Sequence, residues 1–435
     1  MADLVERLIA KYYRQTDGVL RVRGQSILDL ANTHGTPFFL YDRAVLDEKY
    51  KALRAALPNR FSIYYSIKAN PHPAILKHFL QLGCGMELAS LGEYCRAREA
   101  GCLASRMVFA GPGKLEKELE HVLSEGISEI HIESLTEARR ISAISKKLGR
   151  CARVAIRINP TGEVEGGAMR MGGRPTPFGF DEETLDEVVE QVRSLPAVEI
   201  CGVHLYIGTQ INEADTLLGQ YQHGMALARK VAARLHRPLH TLDFGGGFGV
   251  PYFAHEHELD LGALHAGLER LCEEADSDEY LKETQFIVEP GRFLTAEAGI
   301  FVTRVNDIKV SRGKQFAIVD GGMNHHLAAS GNLGQTIKRN YPIALLNKLG
   351  SPAEQHVEIV GPLCTPLDTL ARGILLPRPE IGDLVGIFQS GAYGKTASPI
   401  GFLSHPPPNE IFLGSERDSE LPVAENCLEP AESVD

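Results

Sequence analysis

Two hydrophobic rhythms run along the chain. Short apolar runs lie near residues 63–68, 85–89, 107–110, 129–132, 153–158, 200–207, 240–244 and 285–289. In the first, "IYYSIKANP", Ile63, Tyr65 and Ile67 alternate with Tyr64, Ser66 and Lys68 until Asn70-Pro71 stops the run, the period-2 signature of a strand. Between the runs lie helical patterns such as "HPAILKHFLQLG", "LGEYCRAREAG" and "EKELEHVLSEG", each ending in glycine, a common helix stop. Strands alternating with helices predict parallel strands joined by crossovers. Eight such units predict an α/β fold of the (β/α)8 TIM-barrel type.

After Glu289 the rhythm changes. "GIFVTRVNDIKV", "KQFAIVDGG", "HVEIVGPLC" and "DLVGIFQSGAYG" read as strands separated by turns, which predicts a mainly β second domain. Upstream, "GVLRVRGQSI" reads as a strand or hairpin and "PFFLYD" leads into the barrel. The expected organisation is an N-terminal segment, 1–42, that joins the β-domain, a barrel over 43–295, the β-domain over 296–413 and a tail over 414–435. The tail carries seven acids and one base in "SERDSELPVAENCLEPAESVD" and reads as disordered.

The barrel expectation changes the meaning of Lys68. Taken alone, a lysine closing a strand marks a solvent-facing end. In a barrel, however, active sites gather at the C-terminal ends of the strands. The period-2 rule places Glu87, Arg157, His204, Tyr206, Asp243 and Glu289 beside Lys68 on the faces opposite the aliphatic residues, pointing inward at the mouth. A cluster of ionisable groups in such a place is costly unless it is used.

Composition narrows the classes of function. The 435 residues are 43% hydrophobic and 23% charged, as in an ordinary globular chain. A net charge of −11 gives no electrostatic footprint for nucleic acid or an anionic membrane, and no apolar run approaches the length of a membrane span. The eight cysteines show no metal-ligand spacing and, with an N-terminus unlike a signal peptide, read as reduced thiols of a cytoplasmic protein. His325-His326 reads as a polar pair without a metal.

"DFGGGFGVPY" puts Gly245, Gly246 and Gly247 directly after the seventh strand, where barrels often bind phosphate through backbone N–H groups. "VEPGRF" after the eighth adds Gly291 and Arg292. A lysine that can bond an aldehyde, a phosphate cradle and a carboxylate, Glu289, suited to a protonated ring nitrogen together point to pyridoxal 5'-phosphate.

The ordered motifs "YYSIKANP", "GMELASLGE", "VHLYIGTQ", "GGGFG", "EPGR", "VDGGM", "GPLCTPLD" and "SGAYG" resemble those of the fold-type III pyridoxal-phosphate decarboxylases, with an alanine racemase-like barrel, a group that includes the diaminopimelate and ornithine decarboxylases. The resemblance implies Lys68 as the cofactor lysine and Glu289 at the ring nitrogen. Thr209, Gly246, Gly247, Gly291, Arg292 and Tyr393 would hold the phosphate, with Glu87, Arg157, His204 and Tyr206 around the cofactor. Cys364 resembles a cysteine that enters the site from a partner subunit and returns a proton after carbon dioxide leaves, which implies a homodimer with shared active sites.

Departures from the family pattern bear on substrate. The residue after the cysteine is normally an acid that receives a distal ammonium; here it is Thr365. The aromatic stacked on the cofactor is usually His, and Tyr206 aligns with it. After "VDGGMN" an Arg-Pro that grips a carboxylate is replaced by "HHLAASGNLGQTIKRNYP", in which Lys338 or Arg339 could substitute. These features resemble a subgroup that includes decarboxylases of carrier-bound glutamate and exosortase-associated decarboxylases. The expectation is α-decarboxylation of an amino acid or a carrier-bound aminoacyl group in a specialised pathway. The loop "TGEVEGGAMRMGGRPTPFGF", with Arg170 and Arg174, is the expected substrate lid. Alternatives are a meso-diaminopimelate decarboxylase making lysine, a racemase on the same barrel and a non-catalytic cofactor-binding regulator.

Overall fold

The computed structural model describes residues 2–161, 169–170, 175–206, 208–333, 335 and 337–414. Eight parallel strands form the barrel: β1 (Phe61–Ser66), β2 (Gly85–Leu88), β3 (Met107–Phe109), β4 (Glu129–Ile132), β5 (Ala152–Asn159), β6 (Val198–Leu205), β7 (Thr241–Asp243) and β8 (Gln285–Val288). The ring is continuous, since β8 pairs with β1 at Phe286 opposite Phe61 and β4 pairs with β5 at Ile130 opposite Val154. This is the closed barrel that the alternating rhythm predicts.

Helices Pro73–Gln81, Leu91–Glu99, Glu116–Ser124, Leu135–Leu148, Leu185–Arg193, Ala214–Leu235 and Leu261–Asp276 lie between successive strands. The last crossover has no partner after β8, where only the short turn Arg292–Thr295 follows, and helix Arg43–Ala56 from before the barrel packs beside Leu261–Asp276 instead. The glycines that end the first three helices adopt positive φ: Gly83 at 91°, Gly101 at 97° and Gly126 at 79°, a conformation that carries the chain out of the helix at no side-chain cost.

The aliphatic strand residues face the helices. Tyr65 of β1 packs on Phe79 with ring centroids 4.5 Å apart. Where β8 meets β1, Phe286 lies 5.3 Å from Phe61 and 5.3 Å from Phe244, and Tyr221 of the long outer helix lies 4.3 Å from Phe244. This aromatic cluster holds the seam between the strands that precede Lys68 and Glu289.

The β-domain contains strands Gly299–Ser311, Lys314–Val319, Ile343–Leu345, Gln355–Val360, Thr369–Leu376, Leu384–Phe388 and Asn409–Leu413. Strand Phe38–Asp42, the "PFFLYD" segment, runs antiparallel to Gly299–Ser311 and parallel to Asn409–Leu413. Ahead of it lie helix Ala2–Tyr12, three short strands from Arg14 to Ser26 and helix Ile27–His34; neither helix follows from the hairpin pattern alone. Leu4, Val5, Leu8, Val22 and Ile27 pack with Phe38, Leu40 and Ile300 in a core separate from that of the barrel.

The β-domain also grips the barrel mouth. The Tyr393 N–H donates to the carbonyl of Ala69 (2.8 Å), the Asn70 side chain to that of Gly391 (2.9 Å) and the Gln389 side chain to that of Pro251 (2.8 Å). No described helix is long and apolar enough to cross a membrane. The acidic segment 415–435 and residues 162–168 and 171–174 of the expected lid lie outside the described residues.

Because Phe286 is fully buried at the β8–β1 seam, Phe286→Ala is expected to cost about 3–5 kcal/mol. A urea titration of both proteins measures this as a lowered midpoint at unchanged slope.

Candidate active site

Lys68 does not end the first strand. β1 stops at Ser66, and Lys68 sits in the 3-10 turn Ile67–Ala69. The turn forms because the Tyr65 hydroxyl donates to the Asn70 carbonyl (2.9 Å) and the Asn70 side chain accepts from the His72 N–H (3.1 Å), which folds the chain back before Pro71 can extend it. The consequence for chemistry is small, because the lysine still projects at the mouth. Its side chain is 44% accessible, and Nζ donates to both oxygens of Glu87, at 3.0 and 2.9 Å. Partial burial lowers the ammonium pKa, but Glu87 and then Glu289 outweigh that and hold it above the ordinary lysine value. Ser66 donates to Glu87 as well, so the carboxylate is fixed from both sides.

Arg157 of β5 and Tyr206 after β6 face each other, with the guanidinium 6.0 Å from the tyrosine ring centre and 4.9 Å from that of Phe178. The arginine is held by Glu133, whose Oε1 accepts from Nη1 at 2.8 Å while Oε2 accepts from the Gly179 N–H at 3.1 Å. Behind it, Glu137 takes the Glu133 N–H (2.9 Å) and the ammonium of buried Lys114 (2.7 Å). Glu133, Glu137 and Lys114 escape the motif reading, although Glu133 directly follows β4.

The glycine run lies where β6, β7 and β8 converge. A Cβ on Gly246 would stand 2.7 Å from the Glu289 carbonyl oxygen, and one on Gly291 would stand 2.8 Å from the Ala69 Cβ, so no larger residue fits either place without a shift. No helix starts directly after the run; residues 248–260 intervene before Leu261–Asp276. Thr209 belongs to the two-residue strand Gly208–Thr209. Arg292 is nearly buried, reaches the Tyr252 hydroxyl at 3.4 Å and lies 4.6 Å from the ring centre of Tyr393, whose backbone holds φ at 54°. Tyr252 is a contact that the sequence reading did not anticipate.

Glu289 and His204 lie deeper. Glu289 is 5% exposed and its Oε1 has no hydrogen-bond partner. His204 is 1% exposed, lies 3.6 Å from Glu289 Oε2 through Nε2, and stacks on His131 with centroids 4.1 Å apart. His204 is therefore part of the floor under Glu289. Burial, with the charges of His131 and Arg157, keeps its pKa well below the ordinary imidazole value. Arg292 Nε is likewise buried without a partner. A buried carboxylate oxygen without a partner and a buried guanidinium nitrogen without a partner, the latter on the residue after Gly291, suit a ring with an N–H at one end and a phosphate at the other. The lysine amine beside them suits an aldehyde. Pyridoxal 5'-phosphate fits this donor set.

The β-domain brings two further features. Cys364 is exposed on the loop between strands Gln355–Val360 and Thr369–Leu376. Asp368 shapes that loop by accepting from the N–H groups of Leu363 (2.8 Å) and Met323 (2.6 Å). Thr365 accepts from the Leu367 N–H at 3.3 Å and supplies no charge. Arg339 reaches His255 in the loop after β7 (2.7 Å), which lays one basic side chain against the barrel mouth, whereas Lys338 turns to Asn332. His326 is buried against Ser390 (2.9 Å), and burial lowers its pKa to about 3; His325 meets the Pro406 carbonyl at 3.0 Å. Arg174 and the Arg170 side chain lie outside the described residues.

Similarity to known proteins agrees with this geometry. The family described as "Pyridoxal-dependent decarboxylase, pyridoxal binding domain" matches residues 43–296. An L-glutamyl-[BtrI acyl-carrier protein] decarboxylase of Niallia circulans is 42% identical over 389 residues, which is 89% of this chain and 90% of that protein. A 2-[(L-alanin-3-ylcarbamoyl)methyl]-2-hydroxybutanedioate decarboxylase of Staphylococcus aureus is 30% identical over 403 residues, covering 90% of this chain and 97% of that one. The crystal structure of diaminopimelate decarboxylase from Helicobacter pylori complexed with L-lysine superimposes with a TM-score of 0.79 at 31% identity, covering 89% of this chain and 94% of that one. By its sequence and by its fold, the chain belongs to the pyridoxal-dependent decarboxylases.

Proposed function

We propose that this protein removes the α-carboxylate of an aminoacyl group whose distal end is a conjugate, in a specialised biosynthetic pathway. The observation that carries the substrate half is Thr365. A buried ammonium against a threonine alone would cost several kcal/mol, so the site is built for a substrate without one. The two curated relatives described above act, by their names, on an acylated carrier and on a carbamoyl conjugate, which supports the same reading. Arg339 beside the mouth is the side chain that an acidic conjugate would meet.

Pyridoxal 5'-phosphate, when bound, supplies an aldehyde for amine capture and a protonated ring that accepts the electron pair left by departing carbon dioxide. The chain's own groups do the rest. Glu87, through its two hydrogen bonds, holds Lys68 Nζ in place, the amine that would meet the cofactor aldehyde. Glu289 would face the ring nitrogen. Arg292, Thr209, Tyr393 and the backbone of Gly246, Gly247 and Gly291 would hold the phosphate, and Arg157 and Tyr206 would lie around the ring. Cys364 Sγ delivers a proton to the carbon that carbon dioxide leaves. The hydrogen bonds of the Cys364 loop run to Met323 and Asn332 of its own β-domain. Cys364 is exposed, and the family resemblance implies a homodimer in which each copy's loop would complete the other's site. In this arrangement the barrel, 43–295, carries the cofactor, and 296–413 with 1–42 carries the donor.

Borohydride reduction of the cofactor-loaded protein followed by peptide mapping is expected to place the label on Lys68; a label elsewhere overturns the assignment. Carbon dioxide release over a panel of free amino acids and carrier-bound aminoacyl groups is expected to favour the carrier-bound set. Efficient turnover of meso-diaminopimelate would instead make this a lysine-forming enzyme. Cys364→Ala is expected to lower steady-state turnover about 100-fold or more, in the range of a lost general acid, while the Lys68 label persists.

A further inference from the structure

Arg157 is held at the barrel mouth by more than its own strand. Its guanidinium lies between two rings, 4.9 Å from the centre of Phe178 and 6.0 Å from that of Tyr206. The rings come from different parts of the chain. Tyr206 follows β6, whereas Phe178 stands just before the two-residue strand Phe180–Asp181, which pairs in parallel with Ile158 and Asn159 at the end of β5. That pairing presses the backbone at 179 onto β5. Gly179 holds φ at 72°, and a Cβ there would stand 2.9 Å from the Arg157 carbonyl oxygen, so the glycine is what lets Phe178 come down on the guanidinium.

Glu133 serves both sides of this contact. Its Oε1 accepts from Arg157 Nη1 at 2.8 Å, and its Oε2 accepts from the Gly179 N–H at 3.1 Å. One carboxylate therefore fixes the guanidinium and the backbone next to the ring that stacks on it. The carboxylate is fixed in turn. The Glu133 N–H donates to Glu137 Oε2 (2.9 Å), and Glu137 Oε1 accepts from Lys114 Nζ (2.7 Å). Lys114 also donates to the carbonyls of Gly111 (2.7 Å), just after β3, and of His131 (2.8 Å), in β4. The side chains of Lys114, Glu137, Glu133 and Arg157 are 2%, 6%, 2% and 9% exposed, and their two positive and two negative charges cancel. Buried ion pairs add little to stability over apolar packing of the same volume, but they are costly to break from one side. What the hydrogen bonds add here is direction: they set where the guanidinium lies.

We propose that Glu133 is a positioning residue of the cofactor pocket, acting through Arg157 to hold the guanidinium and Phe178 against Tyr206 as one stacked wall beside the ring. The proposal rests on the reading that Arg157 lies around the cofactor. Glu137 and Lys114 stand one step further back and keep the carboxylate from turning.

The chain has no tryptophan, so Phe178→Trp puts a single fluorescent reporter on Arg157. In the cofactor-free protein that carries it, Glu133→Gln is expected to raise acrylamide quenching of the indole, because an amide offers one acceptor oxygen to two donors that each need one. Unchanged quenching overturns the proposal whatever the cofactor does. In the otherwise native protein at saturating pyridoxal 5'-phosphate, Glu133→Gln is expected to lose visible circular dichroism of the bound cofactor, a signal that arises only while the ring is held in a fixed asymmetric setting. The same variant is expected to lose about 10-fold or more in kcat/KM. A folded Glu133→Gln variant with full circular dichroism and kcat/KM marks a merely structural ion pair and overturns the proposal. Arg157→Met is expected to lose both signals too, and the double variant Glu133→Gln/Arg157→Met to match Arg157→Met alone. A further loss on removing Glu133 once Arg157 is gone overturns the proposal. This last comparison holds even where the melting curve shows the single Glu133 variant unfolded, since removing both members of a buried pair is tolerated better than removing one. A loosened indole in the cofactor-free protein together with a borohydride label absent from Lys68 would sink the cofactor assignment while supporting the clamp on Arg157.

Discussion

A carboxylate inside a closed barrel costs several kcal/mol unless a neighbour neutralises or hydrogen-bonds it. Glu289, Asp243, Glu129 and Glu87 all stand in that position, each 5% exposed or less. The barrel meets the cost locally: Lys68 and Ser66 serve Glu87, while Cys201, Thr241 and His131 serve Glu129. Glu289 Oε1 and Arg292 Nε remain buried without a partner. The site is thus the part of the barrel interior whose polar demands the chain leaves open, and a cofactor with matching groups closes them.

Much of this was legible in the sequence because a parallel barrel obeys one simple rule. Aliphatic residues face helices and the alternate residues face inward, so Glu87, Arg157, His204, Asp243 and Glu289 could be placed by counting. The same count applied to "EIHI" would have put Glu129 and His131 inside as well, since they alternate with Ile130 and Ile132. No motif draws attention to that strand. Depth is also hidden: periodicity gives the face but not the layer, and it does not show that His204 is fully buried against Glu289 and His131. The position of Lys68 on a turn depends on Tyr65 and Asn70 bonding across it, and strand periodicity carries no such information.

The β-domain was harder to read because its pairings are remote. "PFFLYD" looks like a connector when only its neighbours are considered, yet its partners are strands from the far end of the chain. The Cys364 loop is shaped by Asp368, whose carboxylate ties Leu363 to Met323. The "GPLCTPLD" motif marks the cysteine, while the loop around it is shaped by the last residue of that motif, Asp368, through contacts that the motif alone does not reveal.

The placing of strand Phe38–Asp42 has a consequence for how the molecule is made. Neither sheet neighbour exists until the entire barrel has been synthesised, so the strand and the amphipathic helices before it must wait on the ribosome without their partners. The barrel, whose contacts are between successive units, can close first. The N-terminal arm is then captured late, and a nascent chain that stalls within the β-domain would leave a sticky edge strand as its first exposed feature.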